Sequence, residues 1–289
     1  SHNVLAHFYA DDTQLYLSFS LSDGSQEAVS KMEQCITEIR AWMASNFLQL
    51  NASKTEVICF SSPRQHFDSS SVSVKVDDAT ILPSSCVRDL GVKLDCHLKM
   101  TDFISASCSA CFVHLRDIAA IRSSLDDSTT EQLMHALISS RIDYCNSLLI
   151  GAPAYAIERL QRIQNIAARV VLRWPRSMSA TDALKTLHWL PIKQRIAYKT
   201  MLLVHKALHG HAPEYLAALL QHYDPRRDLR SANRNLLQIP FSPSRLGDVA
   251  FAVAAPTMWN DLPERLRAID EQDSFKCQLK THLFSIAFN

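Results

Sequence analysis

The period of apolar and polar positions changes near residue 100, and the two halves of the pattern predict different kinds of structure. Residues 4–20 read as two strands about a tight turn. In the second run Leu15, Leu17 and Phe19 alternate with Gln14, Tyr16 and Ser18, the spacing of a half-buried strand, and Asp11 and Asp12 fall at the turn. Residues 5–9 and 13–19 are therefore expected to pair as antiparallel strands. From Ser22 to Leu48 the period becomes helical, with Val29, Met32, Ile36, Ile39, Trp42, Met43 and Phe47 on the apolar side and Ser22 or Ser25 placed to cap. Short strands are predicted at 55–61, 72–76, 79–82 and 86–94, punctuated by a Ser-rich turn at 61–73 and by Asp77–Asp78.

Beyond about residue 100 the helical period takes over, near 102–122, 128–149, 153–174, 180–188, 192–209, 213–222, 248–259 and 274–287. Pro153, Pro191 and Pro213 stand where a first helical turn accepts proline, and Gly151 and Gly210 where a left-handed C-cap is expected. The Pro-containing stretch 223–247 lacks a period and reads as a long surface loop. Trp42, Trp174, Trp189 and Trp259 lie in apolar patterns and are expected to anchor cores. No internal repeat or low-complexity segment interrupts the chain.

Composition narrows this picture. A chain of 289 residues has room for about two domains. With 47% hydrophobic residues and only 5 glycines, it reads as a helix-rich globular protein. No stretch approaches the roughly 18 uninterrupted apolar residues of a membrane span, and there is no signal-peptide pattern, so no membrane is expected as a partner. The chain opens on Ser1 and runs directly into an apolar stretch, which reads as a piece cut from something longer. Eight dispersed cysteines are expected to be reduced thiols of an intracellular protein, cytoplasmic or nuclear.

Charge is unevenly placed. Residues 151–210 carry 10 basic against 2 acidic residues, whereas residues 1–110 carry 8 against 13. On a helix running from 153 to 176, Arg159, Arg162, Arg169, Arg173 and Arg176 fall within about 100° of arc, with Glu158 the one acidic neighbour on that helix. Arg195, Lys199 and Lys206 form a second strip on the next long helix. Two readings compete. A solvated face needs no partner, but it usually interleaves both signs, and unmatched guanidinium forks suit phosphate oxygens.

The remaining candidate chemistry lies in Phe8-Tyr9-Ala10-Asp11-Asp12. Asp-Asp occurs three times in the chain. At 77–78 it suits a turn and at 126–127 a helix start; at 11–12 hydrophobic runs flank it on both sides. A hairpin of that kind brings carboxylates to a sheet edge, as a divalent-cation site or as a plain turn. Cys108-Ser109-Ala110-Cys111 and the following His114 have metal-ligand spacing, but they sit in a helical pattern and read as core. His205, His209 and His211, with no carboxylate neighbour in the sequence, read as structural.

Tyr9-Ala10-Asp11-Asp12 followed by Thr13-Gln14-Leu15-Tyr16 resembles the metal-binding hairpin of reverse transcriptases, especially those of non-LTR (LINE-type) retrotransposons of the jockey-like group. Two later segments follow in that family's order. Leu48-Gln49-Leu50-Asn51-Ala52-Ser53-Lys54-Thr55-Glu56 is similar to the motif whose lysine lies near the departing pyrophosphate. Leu90-Gly91-Val92, continuing to Leu94-Asp95, is similar to the hairpin that grips the primer terminus. Ser140 to Leu149, Leu187-His188-Trp189-Leu190-Pro191 and Ala207-Leu208-His209-Gly210 resemble the region after the thumb.

The resemblance implies an α+β fold: a partial polymerase palm of antiparallel hairpins plus a helix at 1–97, an all-α thumb at 98–150, and a basic helical C-terminal domain at 151–289. It implies RNA-directed DNA synthesis from deoxynucleoside triphosphates with Mg²⁺ in the intact parent. Asp11 and Asp12 would hold metal, Lys54 would assist the leaving group, and Leu90, Gly91 and the basic helices would hold RNA template and DNA primer. The family's first metal-binding aspartate lies on a strand well upstream of this hairpin, within a fingers and palm segment that would be a missing partner. The fragment is accordingly expected to be catalytically incomplete. The alternatives are a non-catalytic nucleic-acid-binding module and a functionless retrotransposon relic.

Overall fold

The computed structural model describes residues 4–20, 25–62, 68–224 and 235–289, and the chain divides into two compact units, 1–98 and 99–289. The fold is α+β and mostly helical, with three small antiparallel hairpins among the described residues.

In the first unit β1 (Leu5–Tyr9) pairs with β2 (Asp12–Tyr16), Tyr9 opposite Asp12. The second strand stops at Tyr16, three residues short of the expected end, and all of β1 is exposed. Helix α1 (Ser25–Ser45) covers the predicted helix from Ser25 onward; Ser22 lies outside the described residues. Its Val29, Met32, Ile36, Ile39 and Met43 are half-buried. Trp42 and Phe47 are not: both are exposed, Phe47 completely, so Trp42 anchors no core in this unit. The helix rests on β3 (Val74–Val76), which turns through left-handed Asp77 into β4 (Ala79–Ile81). Glu33 of α1 accepts the Lys75 backbone N–H at 2.8 Å, and Arg40 pairs with Asp77 at 2.6 Å. Val74 and Val76 are buried on the strand's inner face, as period-two alternation requires.

The expected single strand at 86–94 is instead a hairpin, β5 (Cys86–Asp89) and β6 (Val92–Asp95), with Asp89 opposite Val92. Leu90 and Gly91 both have positive φ, 44° and 84°, the requirement of a two-residue turn that follows strand twist. Residues 55–61 do not form the expected strand. Only Val57 bridges, to Pro83, while Ser61 and Ser84 hold the segment through backbone bonds to Cys96 and Val57. In the Ser-rich stretch Ser69–Ser71 form a single turn of 3₁₀ helix; residues 63–67 lie outside the described set.

The second unit is helical. Helix α2 (Thr101–Ile121) packs on α5 (Ala154–Leu172), burying Ile104, Cys108, Cys111 and Leu115 against a face that includes Leu160, Ile163 and Ala167. The helices before and after residue 150 thus share one core. By length and composition alone the run Thr101–Ser124 would suffice to cross a membrane. The predicted helix 128–149 is broken into α3 (Asp127–Met134), a π-helical turn His135–Ser139, α4 (Ser140–Asp143) and a 3₁₀ turn Asn146–Leu149. Gly151 follows with φ 77°, and a side chain there would collide with Val249.

Next come α6 (Ala180–Thr186), α7 (Ile192–Leu208) and α8 (Glu214–Ala217), then α9 (Arg245–Asp248), α10 (Phe251–Asn260), α11 (Glu264–Arg267) and α12 (Gln272–Phe288). Pro153, Pro191 and Pro213 occupy the N-caps of α5, α7 and α8. A second cluster joins Met201 and Val204 of α7 to Ala255 and Trp259 of α10 and to Phe275, Leu279 and Leu283 of α12. The helix expected at 213–222 ends at Ala217, because His222 leaves it to bridge Leu237. Leu237 is buried, with its backbone N–H and C=O both bonded to the Asn260 side chain, so this part of the expected surface loop belongs to the core. Residues 225–234 of that loop lie outside the described set.

Candidate nucleic-acid interface

In the first unit the turn between β1 and β2 consists of Ala10 and Asp11. Ala10 has φ 53°, and both Asp11 and Asp12 are exposed. The hairpin is braced at its open end, where Tyr16 Oη and His7 Nε2 lie 3.1 Å apart and the two rings stack. Near its middle, Gln14 Nε2 donates to Asp89 Oδ1 at 2.6 Å, which sets this hairpin beside β5–β6 and the Leu90–Gly91 turn.

Lys54 lies in a segment that also touches β5–β6. Asn51 accepts the Ser53 N–H and hydroxyl at 3.1 and 2.7 Å, which closes the 3₁₀ turn Ala52–Lys54 and leaves Lys54 exposed at its end. Two residues on, Glu56 Oε2 accepts the Arg88 backbone N–H of β5 at 3.4 Å. Hairpin β5–β6 therefore touches both other segments: Asp89 meets the first hairpin, and Arg88 meets the turn that carries Lys54.

The fit of this region to Mg²⁺ is poor. Mg²⁺ demands near-octahedral oxygen ligation, and a two-metal centre needs several converging carboxylates. Asp11 closes the turn and Asp12 opens β2, so the two carboxylates are sequence neighbours rather than a converging pair, and among the described residues no three His, Cys, Asp or Glu side chains gather closely enough to hold a metal ion. No catalytic step follows from these residues alone. Cys108 and Cys111 are likewise no metal pair: both are buried in α2, and burial pushes the Cys111 thiol up to about 11, away from the thiolate that metals take.

In the second unit the basic face of α5 differs from the expected one. The helix ends at Leu172, so Arg176 stands in the turn beyond it. Arg173 is the C-cap with φ 55°; it donates to the Leu125 carbonyl at 2.8 Å and lies 3.7 Å from Asp127, an acid delivered by α3. Arg169 holds the carbonyl of Met178, nine residues further on, with two donors, at 3.1 and 2.9 Å. Arg159 donates to Ser105 Oγ at 2.8 Å. Among the described residues Arg159, Arg162, Arg169 and Arg176 have no acidic partner, and Glu158 pairs with none of them. Arg159, Arg162 and Arg176 are exposed.

The strip on α7 is also revised. Arg195 forms a two-pronged ion pair with Asp143 and is mostly buried, so its charge is already matched. Lys199 is exposed and Lys206 half-buried. The histidines at the end of α7 do have an acidic neighbour, since His209 Nε2 lies 3.4 Å from Asp270 Oδ1. His205 is fully buried, stacked between His209 and Phe275, with Nε2 at 2.8 Å from the Ile269 carbonyl.

Sequence reasoning missed Arg122. It is buried, donates from Nε to the Val170 carbonyl at 2.8 Å and from a guanidinium nitrogen to the Val171 carbonyl at 2.6 Å, and pairs with Asp127. It thereby satisfies the last-turn carbonyls of α5, which have no partner within the helix. An arginine at the end of a helical run gives no sequence signal for that role. Comparison with protein-family models, with curated proteins and with solved structures finds no match to this chain.

Proposed function

We propose that this chain is the C-terminal part of a non-LTR retrotransposon reverse transcriptase, and that residues 1–289 by themselves bind nucleic acid without extending a primer. The observation that carries the reading is the meeting of three separated motifs in the first unit. The segments that carry Asp11–Asp12 and Lys54 hydrogen-bond to adjacent residues of the strand that leads into Leu90–Gly91, Gln14 to Asp89 and Glu56 to Arg88. A polymerase needs its metal-binding turn, its pyrophosphate-side lysine and its primer grip close together, and chance Asp-Asp or Leu-Gly pairs have no reason to share a neighbour.

In this reading Asp11 and Asp12 supply part of a metal site, and Lys54 stands ready to neutralise the leaving pyrophosphate. Leu90–Gly91 presents backbone to the primer. The helical unit contributes phosphate contacts through Arg159, Arg162 and Arg176. The narrower reading, a non-catalytic nucleic-acid-binding module, is favoured by those same arginines, which need no metal to act.

Binding separates both readings from a solvated face. An RNA–DNA hybrid should bind residues 1–289 with an affinity that falls steeply as salt rises. The triple substitution Arg159→Ala, Arg162→Ala and Arg176→Ala should weaken binding and flatten the salt slope on every sequence alike. Unchanged affinity in that variant would return the arginines to solvent.

A further inference from the structure

Asp143 and residues 187–190, far apart in the chain, meet at a cleft of about 350 Å³ within the helical unit, walled also by α3, α7 and α12. That volume lies at the small end of ligand sites, enough for one nucleotide unit. The floor is held by hydrogen bonds, and the Asp143 charge in it is matched. Arg195 matches Asp143 through two hydrogen bonds, and the Trp189 indole N–H donates to Glu131 at 3.1 Å. His135 lies 3.5 Å from the same Glu131 and 5.2 Å, ring to ring, from Trp189. Both acids of the wall are thus already engaged.

Two cations are left over. Lys199 of α7 and Lys280 of α12 line the cleft and are exposed, and among the described residues neither forms an ion pair. Beside them is an aromatic wall: buried Trp189, and exposed His188 in the left-handed region with φ 53°, its ring backed by Phe284 at 5.7 Å and nearly parallel. The wall also includes the π-helical turn at His135, a rare backbone feature that tends to occur at functional sites.

We propose that this cleft binds a nucleotide phosphate, held by Lys199 and Lys280, with the attached base against the exposed His188 ring that Trp189 adjoins. Two ammonium groups beside a planar surface suit a ligand that joins an anion to a flat ring. An acidic peptide would satisfy the lysines and leave the aromatic wall unused. The phosphate can come from a free nucleotide or from a single strand; only the strand source rests on the nucleic-acid reading proposed above.

The test uses the intact chain with AMP, fluorescein-labelled dT12 and pentaglutamate as probes, titrated against wild type, Lys199→Gln/Lys280→Gln and Lys199→Arg/Lys280→Arg. The glutamine variant should bind AMP, dT12 or both at least tenfold more weakly, and the arginine variant should retain binding. Loss confined to AMP identifies a free nucleotide, and loss confined to dT12 a strand. In the strand case the slope of log affinity against log salt should fall by about 0.7 for each phosphate that is no longer neutralised. Equal binding of AMP and dT12 by wild type and the glutamine variant overturns the proposal, as does pentaglutamate binding as tightly as either. If dT12 binding falls only in Arg159→Ala/Arg162→Ala/Arg176→Ala and AMP binding is unchanged in the glutamine variant, the cleft proposal fails and the α5 interface stands. If it falls only in the lysine variant, the cleft stands and the α5 interface fails.

Discussion

Gln14 Nε2 donates to Asp89 Oδ1 at 2.6 Å, joining two hairpins that are 75 positions apart in the chain. A half-buried hydrogen bond to a carboxylate contributes about 1 kcal/mol or more, because the acceptor is ionised and partly shielded from water. Gln14→Ala and Asp89→Ala should each lower stability to urea. Combined in a double-mutant cycle, they should show a coupling of about 1 kcal/mol. A coupling near zero would mean that the hairpins are not held together at this point.

The arginines of the helical unit should divide by role. Arg122→Ala should cost about 3 kcal/mol, since it strands the Val170 and Val171 carbonyls and leaves a buried gap. Its partner Asp127 is well exposed, so Asp127→Asn should cost much less. Arg162→Ala should change stability by no more than about 0.5 kcal/mol. Chemical denaturation of the three variants checks the order, and an Arg122→Ala protein as stable as Arg162→Ala would contradict it.

Stability should fall on acidification, and His205 should be one cause. Burial is the largest influence holding its pKa below the ordinary 6.5; His209 and His211 add to the depression, while the Ile269 carbonyl and Asp270 oppose it. A depressed folded-state pKa means that the unfolded chain takes up protons first as pH falls. The contribution of neutral His205 is therefore complete above about pH 6.5 and is lost as pH drops through the folded value. Thermal melting from pH 7.5 to 5 should show a decline that is shallower in His205→Gln. An identical pH dependence in that variant would assign the decline to other groups.

Ala10 and Leu90 each hold a left-handed φ at the first position of a two-residue turn, 53° and 44°. That conformation costs a side-chain-bearing residue roughly 1 kcal/mol relative to glycine or asparagine. Ala10→Gly and Leu90→Asn should raise the urea midpoint without changing its slope. A lowered midpoint would show that the native side chains make contacts worth more than the strain.

Long, periodic segments were legible in the sequence: α1, α2, α5, α7 and α12 lie within a few residues of their predicted bounds, and the hairpin at Asp11 falls where alternation places it. What was not legible depends on distant neighbours. Nothing local reveals that Asp143 will neutralise Arg195, that Asp127 will reach Arg173, or that the end of α5 needs Arg122. The Leu90–Gly91 turn does not show in the period of residues 86–94, because a two-residue turn leaves alternation nearly intact. Trp42 shows the opposite failure: helical spacing places it on an apolar face, yet burial depends on what packs there, and it is exposed.

The most direct measurement of the central claim is template-dependent primer extension, with Mg²⁺, an RNA template, a DNA primer and all four deoxynucleoside triphosphates. Residues 1–289 alone should extend nothing. The same residues fused behind a jockey-like fingers and first-palm-strand segment should extend the primer, and Asp11→Ala should abolish that extension. Extension by residues 1–289 alone that is lost on Asp11→Ala, or a folded, hybrid-binding fusion whose extension is indifferent to Asp11, would contradict the account.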